Sequence, residues 1–175
     1  AIYQRAIDPV FGGRVAFVDD YDLHVAHYLV SGVDVWLNNP RKPLEASGTS
    51  GMKAAINGVP HLSIGDGWWA EGFDGTNGWL IEGVQGQDTI EAAERSHDMV
   101  DDADSSAIYT LLEDQIVPAF YKRDRNGVPD EWLKVVRNSI RTVTPRFSAK
   151  RMLVDYVENA YAPAYGASAS KTERP

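Results

Sequence analysis

The sequence predicts an α/β domain built on a doubly wound parallel sheet and followed by a helical carboxyl-terminal segment, and three observations carry that expectation. Short apolar runs at Arg14–Val18, Val33–Leu37, His61–Ile64 and Gly78–Ile81 alternate with segments of helical period. Glycine, proline, asparagine or aspartate stands at the ends of these runs. Beyond Gly86 the strand-like runs stop and only helical patterns continue. Apolar strands of this kind are satisfied by a parallel sheet covered on both faces, and ligands of such sheets bind beyond the carboxyl ends of the strands.

Each element has its local reason. Arg14–Val18 (RVAFV) follows Gly12-Gly13 and ends at Asp19-Asp20, the pattern of a buried strand that stops at a helix cap. Leu23, Val25, Ala26, Leu29 and Val30 then recur at helical spacing from Tyr21 onward, and Ser31-Gly32 closes the segment. Val33–Leu37 (VDVWL) is the second strand, ended by the loop Asn38–Pro43. Gly51–Asn57 reads as a helix, His61–Ile64 as the third strand and Gly78–Ile81 as the fourth. Helices are expected at Thr89–Met99, Ser105–Lys122, Pro129–Thr142 and Ser148–Tyr161, with Pro129 suited to a first helical turn. The expected division is residues 1–86 for the sheet-bearing portion, 87–165 for a helical portion of the same domain and 166–175 for a small, polar, disordered tail.

Composition narrows the function classes. A chain of 175 residues suits one domain with a real core. Lysine and arginine number 17 against 25 aspartates and glutamates, a net charge of −8, and the basic residues form no stripe, so nucleic acid is not an expected partner. No run is long and apolar enough for a membrane span, and AIYQRAIDP has no apolar signal core. The absence of cysteine excludes disulfides and thiolate metal sites. A cytoplasmic protein is expected, and the start at Ala1 without methionine suggests a piece of a longer one.

The segment richest in chemistry is Ser47-Gly48-Thr49-Ser50-Gly51, small and hydroxylated residues between a loop and a helix start. A helix amino terminus presents unpaired N–H groups and the positive end of its dipole, glycines admit a close approach and hydroxyls add donors, which together make an anion site. Taken alone, GTSG reads more readily as a plain capping loop, because serine and threonine cap helices routinely. Its flanks shift the balance: Glu45 stands just before it and Lys53 just inside the helix. Lysine is ordinarily a surface residue. Beside a phosphate and the apolar Met52, Ala54, Ala55 and Ile56, however, an amine is suited to Schiff-base chemistry.

The contiguous string Glu45–Gly75, EASGTSGMKAAINGVPHLSIGDGWWAEGFDG, resembles the pyridoxal-phosphate segment of the glycogen and α-glucan phosphorylases, above all the short bacterial type. VSGVDVWLNNPRKPLEASGTSGMK and RVAFVDDYDLHVAHYLV resemble the same family in order and spacing, so the similarity covers Arg14–Gly83 and reaches the helical remainder by general character. The resemblance implies that Lys53 carries pyridoxal 5′-phosphate as a Schiff base and is the catalytic lysine. Thr49 and the amide of Ser50 would hold the cofactor phosphate, and Tyr21 would line its pocket. Glu45, Ser47 and Gly48 would bind hydroxyls of the transferred glucosyl unit. Where this chain has Ser50-Gly51, the animal enzymes have Gly-Asn, so the resemblance implies a role for the Ser50 amide and none for its side chain.

The implied reaction is reversible phosphorolysis of an α-1,4-glucan at its non-reducing end by inorganic phosphate, giving glucose 1-phosphate. The implied fold is the carboxyl-terminal, Rossmann-like half of a GT-B pair, with residues 1–86 as the cofactor-binding portion. The family's basic residues for substrate phosphate lie upstream of the matched segment, so the chain is expected to be inactive alone and to need its missing amino-terminal half. Homo-oligomerisation is left open. Ser148–Tyr161 corresponds to a helix that crosses to the other half, so Met152, Leu153, Tyr156 and Val157 are expected to be exposed or repacked here.

Other residues carry weaker signals. Trp68, Trp69, Trp79 and Phe73 more readily pack against their own domain than against sugars. His24, His27, His61 and His97 lack ligand spacing, and Asp98, Asp101, Asp102 and Asp104 read as a solvated acidic loop before a helix cap, so no metal is expected. Two alternatives stay open: half of a nucleotide-sugar-dependent GT-B glycosyltransferase, in which a second glutamate commonly stands where this chain has Lys53, and a non-catalytic glucan-binding module.

Overall fold

The computed structural model describes residues 2–83 and 97–166. The chain opens with α1 (Ile2–Ala6) and a single 3-10 turn at Pro9–Phe11, followed by α2 (Leu23–Gly32). β1 (Trp36–Asn38), α3 (Thr49–Ile56), β2 (His61–Ile64), α4 (Trp69–Gly72) and β3 (Gly78–Ile81) form the sheet-bearing part. Then come α5 (His97–Leu111), a π-helical turn at Leu112–Ile116, α6 (Val117–Tyr121), α7 (Asp130–Arg146) and α8 (Ala149–Tyr156). A second π turn at Val157–Tyr161 leads into α9 (Ala162–Ala164).

Among the described residues the sheet has three parallel strands in the order β1-β2-β3. Trp36 pairs with His61, and His61 in turn with Gly78. All four residues of β2 are buried, as a central strand covered on both faces requires. Alternation then splits the core. Leu62, Ile64, Trp79 and Ile81 pack on one face with Ile116 and Trp132. On the other, Ala55, Trp68, Trp69 and Val143 cluster with Met52, Phe73, Leu80 and Phe147. Helix α7 contributes Trp132 to the first cluster and Val143 to the second, so it ties the two together.

Close packing fixes small residues. A Cβ at Gly78 would lie 2.4 Å from the His61 carbonyl oxygen and 2.9 Å from the Trp69 ring, so only glycine admits this approach of strand and indole. Asn77, fully buried beside it, donates from Nδ2 to the Gly72 carbonyl at 2.8 Å and to Thr142 Oγ1 at 3.0 Å, and accepts from the Asp74 amide at 3.2 Å. A buried amide so satisfied pins the α4–β3 turn to α7.

The α/β class, the parallel sheet and the strands His61–Ile64 and Gly78–Ile81 agree with the sequence reading. Arg14–Val18 does not: it is irregular and exposed, with Phe17 set edge-on to Tyr3 at 6.3 Å. A strand needs a hydrogen-bonding neighbour, and no described segment lies beside this one to supply it. The second strand slides from Val33–Leu37 to Trp36–Asn38, and the helix at Gly51–Asn57 begins two residues earlier, at Thr49. The single helix expected over Ser105–Lys122 is broken by the first π turn. Pro118 has no N–H and its ring crowds the carbonyl of Asp114, so Val117 donates to Leu112 instead. Pro163 follows the second π turn in the same way, with Ala162 donating to Val157. Asp98–Asp104 lie inside α5 rather than in a loop. Most of the helix expected at Thr89–Met99, the boundary at residues 86–87 and residues 167–175 of the tail fall outside the described residues.

Candidate functional site

The Glu45–Lys53 segment sits between the carboxyl end of β1 and the first turns of α3. Gly48 is the amino cap of α3 in the left-handed region, φ 82°, which glycine adopts without strain. Among the described residues no side chain caps this helix, so the amides of Thr49 and Ser50 are left without a helical acceptor, whereas Gly51 donates back to the Gly48 carbonyl at 3.1 Å. A Cβ at Gly48 would come 3.1 Å from Glu45 Oε1 and 3.2 Å from Trp68 Cδ1, so the carboxylate folds over the cap.

The loop beyond β2 holds this arrangement. Asp66 accepts from the Glu45 amide through one oxygen and from the Gly67 amide through the other, both at 2.9 Å. Trp68 donates its amide to the Ser47 carbonyl at 2.8 Å. Gly67, φ 52°, packs so tightly that a Cβ would lie 2.6 Å from that same carbonyl oxygen.

Beneath the cradle lie His61 and Trp68, both buried, with ring centroids 5.1 Å apart. Among the described residues, neither His61 ring nitrogen nor Trp68 Nε1 has a hydrogen-bond partner of acceptable geometry. Burial pushes the His61 imidazole down to about 3, against a smaller opposing contribution from the Trp36 backbone, so His61 is neutral at physiological pH. A Cβ at Gly51 would meet His61 Cε1 at 2.5 Å and Trp68 Nε1 at 2.9 Å, which explains glycine in the first turn of α3.

The structure brings Glu45, Ser47, Gly48, Thr49 and Ser50 together on one loop and cap. Lys53 is exposed and stands four residues after Thr49, on the same helix face. Tyr21 is exposed at the amino end of α2, and no hydrogen bond or ring contact among the described residues joins it to the cradle. Trp68, Trp69 and Trp79 are buried in the cores, as expected of residues that pack against their own domain. Among the described residues no group of three or more histidines, aspartates or glutamates is placed to hold a metal, and no helix is long and apolar enough to cross a membrane. Asp66, Gly67, His61 and Trp68 escaped the sequence reading as parts of the site. The signal for the first two was Gly65-Asp66-Gly67 at the end of a buried strand.

No family model matches the chain. It is 52% identical over 161 residues to a glycogen phosphorylase of Aquifex aeolicus, a match that covers 92% of this chain and 22% of that protein. The chain belongs to the α-glucan phosphorylase family. It is 49% identical over 156 residues to a glycogen phosphorylase of Mycobacterium bovis, covering 89% of this chain and 17% of the relative. A maltodextrin phosphorylase of Thermococcus litoralis is 44% identical over 163 residues, 93% of this chain and 18% of the relative. The chain thus spans about a fifth of the length of the curated relatives it matches.

Proposed function

We propose that this α-glucan phosphorylase segment supplies the cofactor half-site and the glucosyl-contact loop of a pyridoxal-phosphate-dependent enzyme that transfers glucosyl units from an α-1,4-glucan to inorganic phosphate. The observation that carries the reading is the uncapped start of α3: a left-handed Gly48, free amides at Thr49 and Ser50, and Lys53 one turn further on the same face. Those amides and the helix dipole would hold a phosphate, with the Thr49 hydroxyl as a further donor. Lys53 would carry the cofactor covalently, its amine reaching back along the helix face toward the anion site. When bound, pyridoxal phosphate supplies a phosphate that exchanges protons with the substrate phosphate. Glu45, folded over Gly48, would accept from glucosyl hydroxyls beside Ser47, and Tyr21 would line the cofactor pocket from another part of the chain.

The reading includes a Rossmann-like role for residues 1–86 in the carboxyl-terminal half of a GT-B fold, a cytoplasmic setting, and an amino-terminal half that supplies the basic residues for substrate phosphate. The nucleotide-sugar alternative has no support at position 53, where lysine replaces the glutamate it needs. The test is borohydride reduction of the whole enzyme containing this segment after addition of pyridoxal phosphate, followed by peptide mapping. A reduced adduct at Lys53 is expected, and an adduct elsewhere or none at all overturns the reading.

A further inference from the structure

Between the loop after β1 and helix α5 lies an open-sided cavity of about 420 Å³, walled by Asn39 and Arg41 on the loop and by Asp101, Asp104, Ser105, Ile108 and Tyr109 on the helix. That volume lies within the range of about 300–1,000 Å³ common to small-molecule sites. Asp104 is its distinctive group. Its side chain is only 7% exposed, and it makes no hydrogen bond or ion pair with a described residue. Gly83 presses so closely on it that a Cβ there would lie 1.7 Å from Asp104 Oδ1. Buried carboxyls ordinarily have partners, so a lone one that lines a cavity points to a ligand that donates to it.

The surrounding charges select the ligand. The Arg41 guanidinium is engaged by Asp101, at 3.2 Å through Nε and 2.6 Å through Nη2, so its charge is already matched. An anion would therefore face the Asp101 and Asp104 carboxylates with no unmatched cation among the described residues of the wall. A metal ion would need more ligands than Asp104 and an Asp101 already held by Arg41, and no group of three or more candidate ligands exists among the described residues. A neutral ligand rich in hydroxyls satisfies every wall: it donates to Asp104, exchanges hydrogen bonds with Asn39 and Ser105, and lays its C–H face on Ile108 and Tyr109. The same loop that provides Asn39 and Arg41 runs on to Glu45.

We propose that this cavity is a saccharide subsite, in which Asp104 accepts from sugar hydroxyls and Tyr109 supplies the apolar wall. The identity of the sugar as an α-1,4-glucan rests on the function proposed above. Calorimetric titration of this chain with maltotriose, and separately with inorganic phosphate, tests it in the wild type and in Asp104→Asn, Tyr109→Ala and Glu131→Gln. Circular dichroism confirms that each variant is folded; Tyr109 is exposed, so its variant is informative even if the buried one unfolds. Maltotriose should bind, with about tenfold or greater weakening in Asp104→Asn, as loss of a charged acceptor predicts. Tyr109→Ala should weaken it in the same direction, and Glu131→Gln, an exposed position on α7 outside the cavity lining, should leave it within about twofold. Absence of maltotriose binding, binding insensitive to both Asp104 and Tyr109, or phosphate competing for the cavity overturns the subsite. Loss of binding in Glu131→Gln alone overturns it too, because that residue lies outside the cavity. Asp104-dependent binding without an adduct at Lys53 in the whole enzyme upholds the subsite and removes the cofactor reading.

Discussion

Asp66 accepts the backbone N–H of Glu45 at 2.9 Å, and its second oxygen accepts that of Gly67 at the same distance. One carboxylate thereby joins the loop before α3 to the loop beyond β2, and it sets where the Glu45 side chain begins. Hydrogen bonds to a charged acceptor contribute about 1.5–3 kcal/mol, and an amide in place of the carboxylate would turn one oxygen into a donor facing a donor. Asp66→Asn is therefore expected to lower unfolding stability by about 1.5–3 kcal/mol. In the whole enzyme it should also raise KM for the glucan more than it changes cofactor labelling at Lys53. Denaturant unfolding and steady-state kinetics check the two parts.

Gly51 makes a sharper steric prediction. A methyl group there would stand 2.5 Å from His61 and 2.9 Å from Trp68, both rings of the packed interior. Gly51→Ala should cost about 1–3 kcal/mol, the usual range for overpacking a close-packed site. Adding His61→Ala should return part of that loss, because the new methyl then has room. A double-mutant cycle measured by thermal unfolding would show this as favourable coupling between the two substitutions. Additive losses would mean that α3 shifts as a unit instead.

These relationships also mark how far the sequence could be read. His61–Ile64 and Gly78–Ile81 were legible to the residue because both strands are buried and bounded by Pro60, Gly65 and Asn77. The small, hydroxylated helix start at Ser47–Gly51 was legible from local helix-end chemistry, although the helix begins at Thr49, two residues earlier than the sequence pattern placed it. The clamp from Asp66 was not, since it joins residues 21 apart and depends on where β2 delivers its loop. Arg14–Val18 has the composition of a strand, yet strand formation depends on a neighbour that composition does not encode. Pro118 was visible inside an apparent helix, but periodicity alone does not say whether a helix ends or takes a π turn there.

His61 predicts an acid-sensitive fold. Its imidazole titrates at about 3 when folded and near 6.5 when free, because burial disfavours the charged form. The unfolded state therefore binds more protons between these values. The stability contributed by neutral His61 is complete above pH 6.5 and is lost as pH falls toward 3. The slope from one such group is up to about 1.4 kcal/mol per pH unit. Asp104 acts with the opposite sign, since burial and then Asp101 raise its carboxyl above the usual range. The difference between wild type and a His61→Gln variant isolates the histidine. Urea unfolding from pH 7 to pH 4 should give a shallower decline for the variant, and parallel declines would refute the assignment.

The carboxyl-terminal helix predicts association. On α8 and the π turn after it, Met152, Leu153, Tyr156 and Val157 are exposed, and Tyr161 continues the apolar surface. Their spacing places them along one side of a helix that buries none of its residues. Apolar patches of this kind associate in water because contact removes them from solvent. The chain should therefore self-associate with rising concentration. Leu153→Glu with Val157→Glu should suppress this while leaving unfolding stability within about 0.5 kcal/mol, the usual bound for surface changes away from packed features. Sedimentation velocity across a concentration series decides it: a monomer at all concentrations in the unmodified chain contradicts the expectation. Association that survives both glutamates would assign it to another surface.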